Sequence, residues 1–275
     1  MSHVKLTCFA DEIASDLNEQ LDVLEQEGIK YLELRGVWGK NVLDLNEEEL
    51  NQIQAALQQR GFRISSIASP IGKYLITDPL EPQLEALDKA VHAAHLFETP
   101  YIRIFSYRLP EGESVEAHRA EVLSRLKQLT ETASRHGVIL ILENDSNLYG
   151  ATDDCCLDIL AHCDSKHMRA AFDPGNYVMN NVQPMHDAYP KIAPYIDYVH
   201  IKDATQVPRQ FVPAGVGEGH IEELLVTLKE RQYDGFLSVE PHLKHYLPEA
   251  NDSERVVAAI RALKVLLDKV DQTWE

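Results

Sequence analysis

Four side chains able to hold a divalent ion recur in the second half of this 275-residue chain, each at or near the end of a short apolar run. Glu143 closes "ILILE", Asp173 closes "MRAAFD", His200 lies in "YVHIKDA" and Glu240 in "LSVEPH". A carboxylate at the end of a buried run is costly to desolvate unless something pairs with it. Three carboxylates brought together repel one another if left alone. A divalent cation removes that repulsion. Three oxygen donors and one imidazole suit Mn²⁺ foremost, and also Mg²⁺, Co²⁺, Fe²⁺ or Zn²⁺. A site of this kind with open positions can polarise a substrate oxygen.

The elements that must deliver these residues repeat along the chain. Runs rich in β-branched, aromatic and other apolar residues fall at 4–10, 29–35, 62–69, 101–107, 138–144, 168–173, 197–203 and 235–241. Helical periodicity separates them. Leu17, Leu21 and Leu24 share one helix face, and Asn46 with Glu49 reads as a capping box before Gly61. Further helices fit 80–97, 114–136, 152–162, 185–195, 220–231 and 252–272. Strands alternating with helices imply parallel pairing through crossovers. Eight such units predict an α/β fold of the (β/α)₈ TIM barrel type, one domain over residues 1–275. No G-x-G-x-x-G follows the first strand, which argues against a doubly wound dinucleotide-binding sheet.

In such barrels the chemistry sits at the C-terminal ends of the strands. Strands five to eight then bring Glu143, Asp173, His200 and Glu240 to one side of the mouth. Side chains alternate along a strand. If these four face inward, so do Ile139, Ile141, Ala171, Tyr198, Ser238 and Phe236, and no large charge is forced deep into the interior.

The formal net charge of −18 argues against nucleic acid as a partner, because duplex binding needs a basic face. No run of eighteen apolar residues offers a membrane span. The opening "MSHVKLTCFADE" has neither the basic stretch nor the apolar core of a signal peptide, so a cytoplasmic setting is expected. Cys8, Cys155, Cys156 and Cys163 form no C-x-x-C pair and are expected to be reduced.

The segments "LILEN", "AFDPGN", "VHIKDA", "GVGEG" and "YDGFLSVEPH" resemble those of the xylose isomerase-like TIM barrel superfamily, and the resemblance runs nearly the full length. It implies that Glu143, Asp173, His200 and Glu240 are the metal ligands and that Glu143 and Glu240 are the acid–base pair. The implied activity is isomerisation or epimerisation of a sugar or sugar phosphate by proton transfer through a metal-stabilised enediolate. The alternative is a dehydratase acting on an inosose or a dehydroshikimate-like ring. Homodimers and tetramers occur among the proteins it resembles.

The chain departs from the ketose 3-epimerases at three places: Asn176 replaces a histidine, Gln206 an arginine (with Arg209 nearby) and Tyr149 a glutamate. Strands three and four lack the extra histidines of the endonuclease branch. Asn176 and Arg209 are assigned to substrate binding. So is Lys202, in phase with His200, which could polarise a substrate oxygen or hold a phosphate. Arg108, near the end of strand four, is placed ahead of Arg103 as a substrate contact, and Trp38 is a candidate wall of the pocket. "GVGEGHIEELL" could cradle an anion, but Glu218 within it favours a tight turn folding the seventh loop over the mouth.

Overall fold

The computed structural model describes residues 3–275. Eight parallel strands form its centre: β1 His3–Cys8, β2 Tyr31–Leu34, β3 Arg63–Ala68, β4 Tyr101–Ile104, β5 Ile139–Glu143, β6 Met168–Phe172, β7 Ile196–Ile201 and β8 Phe236–Val239. Their order is β1-β8-β7-β6-β5-β4-β3-β2. A parallel bridge from Phe9 to Glu33 joins the two ends and closes the ring as a TIM barrel. Below that bridge, Thr273–Trp274 pairs with the start of β1.

Helices α1 Leu17–Gln26, α2 Glu47–Arg60, α3 Glu81–Leu96, α4 Val115–His136, α5 Asp153–Cys163, α8 Ile221–Glu230 and α9 Asp252–Lys269 surround the sheet, and α6 Pro174–Met179 and α7 Tyr189–Ile192 are short insertions between β6 and β7. The capping box of Asn46 and Glu49 forms as expected, and a second one, Asn251 with Glu254, starts α9. Each helix buries one stripe: Leu17, Leu21 and Leu24 from α1, and Val256, Ile260, Leu263 and Leu267 from α9. Full burial of such a side chain stabilises by about 1.5–3 kcal/mol. The stretch 185–195 is not one helix. It breaks into a turn at Pro184–Ala188, α7, and a turn at Ala193–Tyr195. Pro190 and Pro194 lack the N–H that a continuous helix requires.

Inside the barrel, Ile141, Ala171 and Tyr198 pack together with Tyr101, Ile139 and Phe236 against them. This is the parity expected from the positions of Glu143 and His200. The β6–β7 pairing slips between Ala170 and Ala171, so Asp197 is an extra residue in β7. Above this apolar layer Ser65 Oγ meets both Thr7 Oγ1 and Tyr198 OH at 2.8 Å. That polar belt is the floor of the mouth.

Candidate metal centre

Glu143, Asp173, His200 and Glu240 each place one ligand atom in a group lying within 4.8 Å of one another, and all four residues are buried. Glu143 is the last residue of β5. Asp173 follows β6 directly and caps α6, with Oδ1 accepting the Asn176 N–H at 2.8 Å and Pro174 in the first helical turn. Asn144 fastens the two strand ends together: its Nδ2 donates to Asp173 O at 2.9 Å and its Oδ1 accepts from Asp173 N at 3.0 Å. His200 projects from β7, and Glu240 follows β8.

The free valences of the cluster point inward. Asp173 Oδ2, His200 Nδ1 and Glu240 Oε2 are buried without a hydrogen-bond partner among the described residues. Buried polar atoms are rarely left so. His200 Nδ1 lies 3.5 Å from Glu143 Oε1 and 3.9 Å from Asp173 Oδ2. On its other side Nε2 lies 3.4 Å from Glu33 Oε2, which also accepts the Ser238 hydroxyl at 2.6 Å. Phe9 and Tyr198 meet the imidazole edge-on. Burial alone would keep His200 neutral, but Glu143 and Glu33 draw its pKa up to about 10. A carboxylate–histidine relay of this form fixes ring orientation at metal sites. Three inward oxygens and one nitrogen therefore fit a divalent ion.

Cations surround the cluster. Arg103 Nη1 donates to Glu143 Oε2 at 3.1 Å, and Asn176 Nδ2 donates to Glu143 Oε1 at 3.2 Å. Burial resists ionisation of Glu143, yet His200 and Arg103 hold its pKa down at about 2. Asp173 moves the other way: burial raises it to about 6 against the opposing pull of Lys202. Lys202 Nζ lies 2.5 Å from Glu240 Oε2 and 3.2 Å from Asp173 Oδ2. Glu240 Oε1 accepts from Arg35 at 3.1 Å and faces His242 Nε2 at 3.1 Å. Burial works against the ionised form of Glu240, but Lys202 and His242 keep it well below the usual carboxylate range. Arg35 also binds Asp11 at 2.8 Å and Glu12 at 3.1 Å.

The mouth opens into a cavity of about 430 Å³ lined by residues that include Glu143, Glu240, Lys202, Asn176 and Arg103. Lys202 and Asn176 thus join the four clustered residues in one place. Arg108, Arg209 and Trp38 do not line it. Arg108 donates twice to Lys73 O, at 2.7 and 3.0 Å. Arg209 binds Met179 O from an exposed position. Trp38 has a left-handed backbone (φ 55°) and packs against the core. Arg103, ranked behind Arg108 from sequence, is the arginine that reaches Glu143. Glu33, Arg35, Lys73, Phe211 and His242 complete the surroundings. In the sequence Glu33 lies on strand two, and His242 follows the last strand as a substrate contact, a subunit contact or a solvated residue; nothing one-dimensional singles out the other three.

The glycines of "GVGEG" do hold an anion, and that anion is internal. Asp203 Oδ2 accepts from Gly215 N at 2.9 Å and Gly217 N at 3.0 Å. Its Oδ1 accepts from Ala204 N and Gly219 N, both at 2.8 Å. A Cβ on Gly217 would lie 2.4 Å from Ala204 O and from Asp203 Oδ1. This nest anchors a hairpin of strands Asp203–Gln206 and Arg209–Val212, which carries Phe211 over the cavity.

Solved structures share this architecture. A D-tagatose 3-epimerase-like protein aligns with TM-score 0.78 at 19% identity, covering 98% of both chains. The probable 3-DHS dehydratase AsbF of Bacillus anthracis aligns with TM-score 0.77 at 17% identity, covering 95% of this chain and 98% of that one. The IOLI protein, crystallised with a zinc atom, aligns with TM-score 0.78 at 16% identity over 97% and 99%. In sequence, an uncharacterized protein of Methanocaldococcus jannaschii is 27% identical over 165 residues. That match spans 57% of this chain and little more than half, 56%, of the relative. Residues 21–266, nearly the whole barrel and all four candidate ligands, match the model of one family, and the chain belongs to it: the xylose isomerase-like TIM barrel family.

Proposed function

We propose that this chain is a sugar or sugar-phosphate isomerase or epimerase working with one divalent ion, Mn²⁺ by preference, held by Glu143, Asp173, His200 and Glu240. The carrying observation is the buried cluster whose Asp173 Oδ2, His200 Nδ1 and Glu240 Oε2 have no hydrogen-bond partner among the described residues. When bound, the ion supplies Lewis acidity, which acidifies a C–H beside a substrate carbonyl. Glu143, held in place by Arg103 and Asn176, is ionised and oriented to take that proton. Glu240, ionised at rest, takes a proton from His242, whose Nε2 lies 3.1 Å from Oε1, and delivers it to the substrate carbon, leaving Glu143 protonated and His242 neutral until exchange with solvent resets both. Return to the opposite face epimerises; return to the neighbouring carbon isomerises.

A second reading is a dehydratase of an inosose or a dehydroshikimate-like ring. It is favoured by the buried Lys202 ammonium 2.5 Å from Glu240, which can protonate a departing hydroxyl. The first step is common to both readings.

The test is metal content by mass spectrometry after exposure to Mn²⁺, for the wild type and a Glu143→Gln, Glu240→Gln variant. Stoichiometric metal in the wild type and a large loss in the variant are expected. Ketoses and inososes are then screened in D₂O. A product that gains deuterium at the α-carbon and keeps all its oxygens identifies the isomerase, and loss of water the lyase. A folded wild type that retains no metal overturns both.

A further inference from the structure

We propose that Lys202 is the resident counter-cation of the ligand set, and that a divalent ion binds by displacing its ammonium from Asp173 and Glu240. The inference rests on the metal-site reading above.

Asp173 and Glu240 each have one oxygen committed elsewhere. Asp173 Oδ1 caps α6 through Asn176 N. Glu240 Oε1 is shared by Arg35 and His242. The two oxygens left for a metal, Asp173 Oδ2 and Glu240 Oε2, are those that Lys202 Nζ approaches at 3.2 and 2.5 Å. These are charge contacts without hydrogen-bond alignment, because neither oxygen has a hydrogen-bond partner. The aligned bond of Lys202 goes instead to Asn176 Oδ1 at 3.2 Å.

Two cations cannot use the same inward oxygens, since like charges at contact distance in a buried site repel strongly. The ammonium is the weaker claimant. It carries one charge and only donates, so it gains nothing from His200 Nδ1, which a metal uses as a donor atom. Without a metal, however, it is the cation shared by the inward oxygens of two buried carboxylates, with Arg35 and His242 on the far side of Glu240, and removing such a partner is destabilising. Metal and ammonium are thus linked competitors, and the measured metal affinity contains the work of moving Lys202.

The displaced group has somewhere to go. Lys202 lines the cavity, and its Nζ already lies 5.2 Å from the centroid of the Phe211 ring. An aromatic face accepts an ammonium. In the loaded chain Lys202 therefore faces substrate rather than ligands, so the ion enters before the substrate.

Isothermal titration with Mn²⁺ and thermal unfolding test this on wild type, Lys202→Met and Lys202→Arg. Lys202→Met is expected to bind Mn²⁺ roughly tenfold or more tightly, within the usual range of coupling between linked sites. Lys202→Arg, which keeps the charge, does not tighten. Metal-free Lys202→Met melts below wild type, and Mn²⁺ removes the deficit. Wild type binding one ion while Lys202→Met binds it no tighter overturns the competition and leaves the metal site standing. No binding by any of the three overturns both. If Lys202→Met folds only with Mn²⁺ present, that dependence supports the proposal. If it stays unfolded in Mn²⁺, and a folded Lys202→Gln binds no tighter than wild type, the proposal falls.

Discussion

Glu33 on β2 and His200 on β7 face each other across the barrel interior, with Glu33 Oε2 3.4 Å from His200 Nε2. The contact leaves Nδ1 as the nitrogen turned toward Glu143 and Asp173. Glu33 itself is steadied by the Ser238 hydroxyl. Loss of such an outer carboxylate typically costs 10–100-fold in metal affinity. A Glu33→Gln variant is expected to fold, and titration with Mn²⁺ should show a loss of about that size. An unchanged affinity would mean the imidazole is oriented by Phe9 and Tyr198 alone.

After His200, Arg103 is the charge that most lowers the Glu143 pKa against burial. In Arg103→Met, His200 is left without that second cation to oppose the burial that favours the protonated carboxyl. The Glu143 pKa then rises. The acid limb of α-proton exchange, followed in D₂O against pH, moves to higher pH relative to wild type. A limb that stays put would show that another group governs it.

Asp203 accepts four backbone N–H groups from its own loop. Asn at this position keeps the shape but turns an NH₂ toward two of those donors. Hydrogen bonds to charged groups contribute about 1.5–3 kcal/mol each. Asp203→Asn and Gly217→Ala are both expected to lower the melting temperature by several degrees. They should also expose 207–218 to protease before the rest of the chain. Cleavage at wild-type rates would contradict the anchoring role.

Glu27, at the end of α1, binds Arg261 and Lys264 of α9 at 2.8 Å each. Burial opposes ionisation, but these two cations lower its pKa below the usual value. A lowered folded-state pKa contributes stability that is present above the unfolded pKa, about 4.3, and is lost as pH falls through the folded value. Glu27→Gln should therefore cost about 1 kcal/mol at pH 7 in denaturant unfolding. The gap between variant and wild type should close as the pH falls below 4. A gap independent of pH would assign the effect to packing.

The barrel was legible because each strand is a short apolar run and each long helix keeps its own stripe. The four clustered residues were legible because parity and strand-end position are one-dimensional facts. What escaped depends on partners distant in sequence. Arg35 looks like any surface arginine until the fold sets it beside Glu240, and only the fold puts Arg103, not Arg108, beside Glu143. Asp-Pro-Gly at 173–175 suits a turn as readily as the cap and first turn of α6. The hairpin carrying Phe211 is four residues per strand, five of the eight polar, and lacks the hydrophobic alternation that marks longer strands. The glycines at 215–219 suggested an anion, but only the fold shows that Asp203 supplies it.

That self-supplied anion bears on how this mouth can change its diet. The amides of Gly215, Gly217 and Gly219 are spoken for, so a phosphate arriving with a sugar finds no backbone cradle there. Under the proposed function, discrimination between charged and uncharged sugars falls instead to exchangeable side chains such as Lys73 and Phe211 around the cavity. Single substitutions there could redirect the substrate while the loop that frames it keeps its shape.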